Sequence, residues 1–283
     1  MFVCAESLGV ITITGDDART LLQGQATPDF RKLNDDGFVF GGFCSPKGRI
    51  IANGWFQNIE GGYRLIVSRD MVASLIKRLR LYVLRSKVTI TDVSDSNPVY
   101  LAIGNSPSSA EDDEGAGDVF METLRWKLRH SESLTILSGD LGSDRSPPLR
   151  GCAFNLAMVR EGIPIVTAKT SDLYIPQMLA MERWGGLSFD KGCYTGQEIV
   201  TRTQFLGRVK RGLYRFDSDS ASRLSVDDDI HAHPEDKESI GKTFMTAELP
   251  NGGVAGLAVI KETEADVMKA FVDGHVIVLD RVA

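Results

Sequence analysis

The sequence predicts an α+β fold whose strands run antiparallel and whose C-terminal part is entirely β. Strand patterns alternate with amphipathic helix patterns up to about residue 206, and hairpin turns join neighbouring strands. No G-x-G-x-x-G segment follows a predicted strand, which argues against a doubly wound nucleotide-binding sheet. Beyond Gly207, apolar and polar residues alternate between glycine-containing turns, a pattern typical of a small antiparallel barrel or sandwich.

The first part of the chain begins with a strand and a helix. Val10 to Thr14 alternate in the manner of a strand. The acids that follow suit the N-terminus of a helix whose apolar face carries Ala18, Leu21 and Leu22. The segment FVFGGFCSPKGRIIANGWFQ predicts a hairpin, because Ser45 to Gly48 have proline and glycine at favoured turn positions.

A second helix and another strand complete this part. The segment DMVASLIKRLRLYVLRSK repeats apolar residues at helical spacing, at Val72, Leu75, Ile76, Leu79 and Val83. The next segment, VTITDV, predicts a strand.

The second part repeats the mixture of strands and helices. SNPVYLAIG and SLTILSG predict strands, separated by the acidic loop segment SSAEDDEGAGD. A helix is expected from about Leu149 to Arg160, because Gly162 and Pro164 stand where a helix end requires them, and a short helix follows Pro176. We therefore expect three parts, residues 1–95, 96–206 and 207–283, which are free to interleave.

Composition excludes several classes of protein. The 283-residue chain is 42% hydrophobic and 25% charged, which is ordinary for a globular protein. Its formal net charge of -6 disfavours generic nucleic-acid binding. No apolar run approaches the length of a membrane span and the first residues lack a secretory pattern, so we expect a cytoplasmic protein. Four scattered cysteines form no C-x-x-C pair, and His231 and His233 lack a third ligand, so no metal site is expected.

The segment KGCYTGQEIVTR raises the question of what its cysteine does. Thr195 and Glu198 fit a capping box and predict a helix that starts at Thr195. Cys193 then lies just outside the positive helix end, where Lys191 and Arg202 add charge that favours the thiolate form. The alternative is a well-capped helix in which Glu198 pairs with Arg202 and Cys193 is a buried filler.

Several segments together resemble the signature of the YgfZ-type folate-binding proteins. They are KGCYTGQEIVTR, GIP at Gly162 to Pro164, YIPQML at Tyr174 to Leu179 and GGLSF at Gly185 to Phe189. LLQGQATPDF, SPKGRIIAN and YVLRSKVTI fit the same family in the same order. This family is similar to the T-protein of the glycine cleavage system, an aminomethyltransferase that uses tetrahydrofolate. The resemblance implies a ring of two ferredoxin-like α+β parts and a C-terminal antiparallel β-barrel around a central folate channel.

The resemblance also implies a function. It indicates a protein that binds tetrahydrofolate or its 5-formyl or methylene form and supports assembly or repair of iron–sulfur proteins, with tRNA thiomodification as an indirect result. Cys193 would be the functional thiol, and Lys191 and Arg202 would tune it. The implied partners are folate and iron–sulfur proteins or their assembly factors. No direct nucleic-acid or membrane contact is expected, and we expect a monomer.

The implied folate contacts come from four regions of the chain. They are Leu8, Asn53, Phe154, Gly192, Tyr194, Gly196, Gln197 and Glu198, with Phe154 stacking on the pterin. Gly192 and Gly196 leave room for a ligand or another backbone.

Two departures separate the chain from the T-protein. Asn53 stands where T-proteins carry a carboxylate, and an amide neither takes nor gives a proton at neutral pH. The T-protein counterpart of the motif ordinarily lacks the cysteine. The alternative function, a folate-dependent aminomethyltransferase or one-carbon transferase, would need another acid, and Asp29 is the nearest candidate.

Overall fold

A computed structural model describes residues 2–33, 38–103, 134–138, 153–219, 224–262 and 269–282. The chain divides into two compact units. The first unit consists of Met1–Leu21, Lys32–Val39 and Gly54–Phe154, and the second of Leu22–Arg31, Phe40–Asn53 and Asn155–Ala283. The division into parts at residues 95 and 206 stays a prediction.

The described residues form strands and α-helices in the mixed order that the sequence predicts. The strands are β1 (Phe2–Cys4), β2 (Leu8–Thr14), β3 (Phe38–Cys44), β4 (Ile50–Ile59), β5 (Gly62–Ser68), β6 (Thr89–Asp92), β7 (Val99–Ile103), β8 (Leu134–Ser138), β9 (Arg211–Ser218), β10 (Asp229–Ile230), β11 (Gly241–Glu248), β12 (Val254–Lys261), β13 (Lys269–Val272) and β14 (His275–Arg281). The α-helices are α1 (Ala18–Gln25), α2 (Val72–Arg80), α3 (Ala153–Glu161) and α4 (Gln197–Leu206). Short 3-10 helices cover Phe30–Lys32, Arg69–Met71, Pro176–Leu179 and Met181–Trp184.

The strands before α3 form two antiparallel sheets. One has the order β3-β4-β5-β2-β6 and the other β1-β7-β8. In the larger sheet β2 pairs with β5 and β6, so that Ile11 stands opposite both Leu65 and Asp92. The predicted α+β class with antiparallel strands is confirmed.

Helix α2 lies against β2 and β6 and ends earlier than the apolar spacing predicts. It buries Val72, Leu75, Ile76 and Leu79. The prediction that Val83 continues this face is wrong, because the helix stops at Arg80. Leu81 and Leu84 are 68% and 91% exposed, so a further turn would gain little of the burial that stabilises a short helix.

Two predicted chain reversals are confirmed. The Ser45 N–H donates to the Arg49 carbonyl at 2.8 Å and the Gly48 N–H to the Ser45 carbonyl at 2.9 Å, which closes the hairpin turn between β3 and β4. Helix α3 ends in a Schellman motif, in which Gly162 has φ +72° and the Ile163 N–H donates to the Met158 carbonyl at 2.8 Å. The predicted start of this helix at Leu149 lies outside the described residues.

The C-terminal part is a nearly closed barrel, as predicted. Its strand order is β10-β11-β12-β9-β14-β13. An antiparallel bridge between His231 and Phe271 joins the two ends, with both N–H groups donating at 2.9 Å. The interior is apolar and includes Phe216, Ile230 and Ile277.

Within the described ranges, no group of three or more His, Cys, Asp or Glu side chains could hold a metal ion. None of the helices in those ranges is long and apolar enough to cross a membrane.

Candidate functional site

Lys191 anchors the motif loop from inside the second unit. The residue is 5% exposed, and its ammonium donates to the carbonyl oxygens of Ala26 at 2.7 Å and Pro28 at 2.6 Å. Its Nζ lies 5.8 Å from the ring centroid of Phe30 and 5.2 Å from that of Tyr194. Burial lowers the pKa of Lys191 to about 8. The ammonium therefore ties the loop to the segment after α1, and its influence on Cys193 stays a prediction.

The exposed thiol stands between two buried anchors. Cys193 is a free, exposed cysteine, and Gly192 beside it is also exposed. Tyr194 is 5% exposed, and its hydroxyl has no hydrogen-bond partner among the described residues. Burial, and then the neighbouring Cys44, raise the pKa of Tyr194. The interpretation of Cys193 as a buried filler is therefore wrong, since the loop holds its thiol at the surface.

The helix after the loop begins differently from the prediction. Helix α4 starts at Gln197, its N-cap is Gly196 with φ 84°, and no side chain caps it. The capping box of Thr195 and Glu198 is therefore wrong. The Tyr194 N–H instead donates to Gln197 Oε1 at 3.1 Å, and the Thr195 hydroxyl donates to an α1 side chain, Gln25 Oε1, at 3.2 Å.

The conformation of Gly196 explains this shift. A Cβ at this position would collide with the Ser45 carbonyl oxygen and lie 2.8 Å from the Cβ of Cys44. The hairpin turn thus occupies the room that the missing side chain leaves, and the positive φ delays the helix. Cys193 consequently precedes the first helical residue by four positions rather than two. A Cβ on Gly192, by contrast, would have no atom within 4 Å, so this glycine faces open space.

The rest of α4 is held by the hairpin and by the YIPQML segment. A Cβ on Gly48 would come within 2.7 Å of Ile199, so the turn fits closely against the helix. The side-chain amide of Gln177 donates to the Val200 carbonyl at 2.8 Å. Glu198 and Arg202 are exposed, and no ion pair joins them in the part of the chain that the structure describes. The predicted pairing of these two residues is therefore wrong.

Thr27 joins two further motif segments and was missed by the sequence reasoning. Its hydroxyl donates to the Gly186 carbonyl at 2.5 Å and accepts from the Gly42 N–H at 3.0 Å. Its own carbonyl accepts from the Ser188 N–H at 3.1 Å. LLQGQATPDF, GGLSF and KGCY, which are far apart in sequence, therefore meet in the second unit. A threonine between an alanine and a proline carries no local signal of such a role.

Asp29 is a buried carboxylate held by hydrogen bonds from its neighbours. It is 8% exposed, and its Oδ1 accepts from Gln23 Nε2 at 2.9 Å and from Arg31 Nε at 2.9 Å. Its Oδ2 accepts from Arg31 Nη2 at 2.8 Å. The hydrogen bonds from Arg31 hold the pKa of Asp29 far below its usual range. Asp29 is therefore poorly suited to take up a proton near neutral pH.

Asn53 is a buried tie between two backbone segments. It is 1% exposed, its Nδ2 donates to the Pro164 carbonyl at 2.8 Å, and its Oδ1 accepts from the Val166 N–H at 2.8 Å. The amide thus fixes β4 to the chain that follows α3, through the GIP segment. A carboxylate would lose the donor, so this surrounding favours an amide. Contact of Asn53 with folate stays a prediction.

The other predicted folate residues belong to the first unit. Leu8 is 3% exposed in β2, opposite Ser68, and Phe154 is 2% exposed in α3. Stacking of Phe154 on a pterin stays a prediction. A groove of about 580 Å³ in the same unit is lined by residues that include Arg19, Glu60 and Tyr63, and by none of the predicted folate residues.

Known structures show the class of fold to which the chain belongs. No protein-family model matches the chain. Its fold is that of the glycine cleavage T-protein: the crystal structure of glycine cleavage system aminomethyltransferase T from Bartonella henselae matches with a TM-score of 0.68. That match covers 99% of this chain and 85% of the other at 10% sequence identity, so it establishes the fold alone.

Sequence relatives then give the family. The tRNA-modifying protein YgfZ of Colwellia psychrerythraea is 30% identical over 238 residues, which cover 78% of this chain and 73% of that protein. The protein of the same name from Escherichia coli O157:H7 is 32% identical, over 75% of this chain and 70% of that protein. The chain belongs to the YgfZ family.

Proposed function

We propose that the chain is a cytoplasmic tetrahydrofolate-binding protein that supports assembly or repair of iron–sulfur proteins, with Cys193 as its functional thiol. The observation that carries this proposal is the exposed Cys193, which lies with the exposed Gly192 between two buried residues, Lys191 and Tyr194. A loop anchored in this way presents a thiol in a fixed place without using it in the core. A cysteine that served only packing would be buried.

The names of the relatives support the biological part of the proposal. They are called tRNA-modifying proteins, and an iron–sulfur enzyme that thiolates tRNA would connect that name to this chain without direct contact with nucleic acid. A cluster usually takes four protein ligands, so one exposed cysteine would share any cluster with its client or touch it transiently. Such clients would be iron–sulfur proteins or their assembly factors, and the chain would act as a monomer.

Tetrahydrofolate or its 5-formyl or methylene form is the proposed ligand. The motif resemblance to folate-binding proteins and the T-protein fold support it. Two observations in the loop fit a bound ligand: open space at Gly192 and the unpartnered buried hydroxyl of Tyr194. Gly196 fits less well, because the hairpin turn fills its room.

The structure disfavours aminomethyl transfer, the alternative function. Asn53 offers no acid and uses both amide groups on the backbone. The hydrogen bonds from Arg31 keep the pKa of Asp29 too low for proton uptake near neutral pH. Formation of methylenetetrahydrofolate from an aminomethyl donor by the purified protein would revive this alternative.

The test separates the ligand from the thiol. Isothermal titration with tetrahydrofolate and with 5-formyltetrahydrofolate is run on the wild type, on Cys193→Ala and on the control Cys4→Ala, whose cysteine is partly buried. All three proteins should bind. In cells that lack their own YgfZ, only Cys193→Ala should fail to restore the activity of an iron–sulfur enzyme. A fully active Cys193→Ala variant refutes the thiol role, and absence of binding by the wild type refutes the ligand.

A further inference from the structure

The C-terminal end of α4 exposes apolar side chains that the core does not use. Phe205 is 66% exposed and Leu206 is 85% exposed. Phe189 is half-buried and lies beside Phe205, with 5.5 Å between the ring centroids and an angle of 73° between the planes. Single exposed apolar residues are common, but here two aromatic rings are in contact and the next residue, Leu206, is also exposed, and a larger exposed apolar surface indicates an interaction site.

The segment that carries Phe205 and Leu206 is rich in positive charge. Between Ile199 and Phe216 the sequence contains no acid and has cations at Arg202, Arg208, Lys210, Arg211 and Arg215. Arg215 pairs with Asp280 at 2.5 Å. Within the described residues the other four form no ion pair. This concentration of cations is unexpected in a chain with a net charge of -6.

The apolar surface is close in the chain to the exposed thiol. Phe189 precedes Cys193 by four residues, so their Cα atoms are at most about 14 Å apart. Helix α4 itself begins just after the thiol loop and spans about 15 Å. A partner seated on Phe189, Phe205 and Leu206 would therefore cover a residue whose Cα lies within about 14 Å of that of Cys193.

We propose that Phe189, Phe205 and Leu206, with the cations of the same segment, form a docking surface for an acidic protein partner that meets Cys193. This inference rests on the proposed function, since the partner would be the protein that the thiol serves. An apolar centre with an arginine-rich rim is typical of protein interfaces. Recognition of a phosphate backbone uses cations and polar groups and leaves no role for Leu206, the most exposed apolar residue of the surface.

The probe is a fluorescein-labelled amphipathic helical peptide of leucine and glutamate, followed by fluorescence anisotropy with the full chain. The Phe205→Ser/Leu206→Ser double variant removes the apolar centre. The Leu81→Ser/Leu84→Ser control removes leucines that are 68% and 91% exposed beside cations of the first unit. The peptide should bind the wild type and the control alike, and the first double variant should bind at least tenfold more weakly. Replacing the glutamates of the peptide with glutamine should weaken binding by a similar factor.

Two results overturn the proposal. Equal loss of binding in both double variants would mean non-specific attraction to exposed leucines near cations. Total tRNA that binds the wild type, outcompetes the peptide and depends on Phe205 and Leu206 would mean a nucleic-acid site.

The same proteins distinguish failure of this inference from failure of the proposed function. Phe205→Ser/Leu206→Ser should retain folate binding and the thermal midpoint of the wild type while losing most iron–sulfur enzyme activity in cells. If it remains fully active while Cys193→Ala is inactive, the docking surface is refuted and the thiol role stands. If Cys193→Ala is active, the proposed function fails, and the peptide assay alone decides the docking surface.

Discussion

Replacement of Asn53 by aspartate should destabilise the protein at neutral pH. The substitution keeps the shape of the side chain but places a carboxylate oxygen against the Pro164 carbonyl, where the amide now donates at 2.8 Å. The residue is 1% exposed, so water cannot replace the lost donor. Leaving a buried acceptor unpaired costs about 1–3 kcal/mol, and more when a charge is involved. We therefore expect a loss of about 3 kcal/mol in the free energy of unfolding at neutral pH.

The loss should shrink as the pH falls. Burial and the facing carbonyl raise the folded-state pKa of the new aspartate above its unfolded value of about 3.9. The folded state then binds more protons than the unfolded state, so the stability of the variant, relative to the wild type, rises as the pH falls through the folded pKa. The protonated carboxyl can again donate to Pro164 and accept from Val166, as the amide does.

The assay is urea unfolding of the wild type and Asn53→Asp at several pH values between about 4.5 and 7.5, the range in which a raised carboxyl pKa acts. Asn251→Asp is the matched control, because Asn251 is exposed and its Oδ1 only accepts, from the Gly253 N–H at 3.1 Å. The free energy of unfolding of Asn251→Asp should differ little from that of the wild type. An Asn53→Asp variant as stable as the wild type at neutral pH would refute the reasoning, and with it the structural argument against a carboxylate here.

Three further predictions concern residues of the second unit. Burial lowers the pKa of Lys191 to about 8, so between pH 8 and the unfolded value near 10.4 only the unfolded state binds this proton. The free energy of unfolding of the wild type should therefore gain up to about 3 kcal/mol as the pH rises through this range. Denaturant titrations of Lys191→Met should not show this gain. Because the pKa of Asp29 is lowered, the stability that it contributes should disappear as the pH falls below about 4, and Asp29→Asn should flatten this acid loss in thermal scans. Gly196→Ala should lower the free energy of unfolding by about 2 kcal/mol or more, because φ is positive there and the new Cβ would collide with the Ser45 carbonyl. Gly192→Ala, whose Cβ would face open space, should leave the free energy of unfolding nearly unchanged. Calorimetry measures both. A neutral Gly196→Ala variant would contradict the close contact with the hairpin.

Local patterns predicted much of the fold because the responsible residues are neighbours in sequence. The Ser45 to Gly48 turn and the helix end at Gly162 depend on glycine and proline within a few positions, and both are confirmed. The C-terminal barrel followed from alternation and turn glycines. The start of α4 was mispredicted because Gly196 responds to the hairpin around Ser45, some 150 positions away, which a capping pattern cannot register.

The candidate site was less accessible to sequence reasoning for the same reason. The roles of Lys191 and Thr27 depend on carbonyl groups, which every residue carries, so the partners leave no signal in the sequence. Asn53 was noticed for the acid that it lacks, whereas its hydrogen bonds to Pro164 and Val166 appear only once β4 and the GIP segment are folded. The exposed position of Cys193 excludes the buried filler, and the functional role of its thiol stays a prediction.

In the thiol loop, the buried anchors and the exposed cysteine between them should be under different kinds of evolutionary selection. Changes at Lys191 or Tyr194 alter the folding of the second unit, and a screen for protein abundance would detect them. Changes at Cys193 leave the core intact, so defective proteins would accumulate to normal levels. If Cys193 is the functional thiol that we propose, natural variation in the loop should be limited by stability at its anchors and by chemistry at the thiol between them.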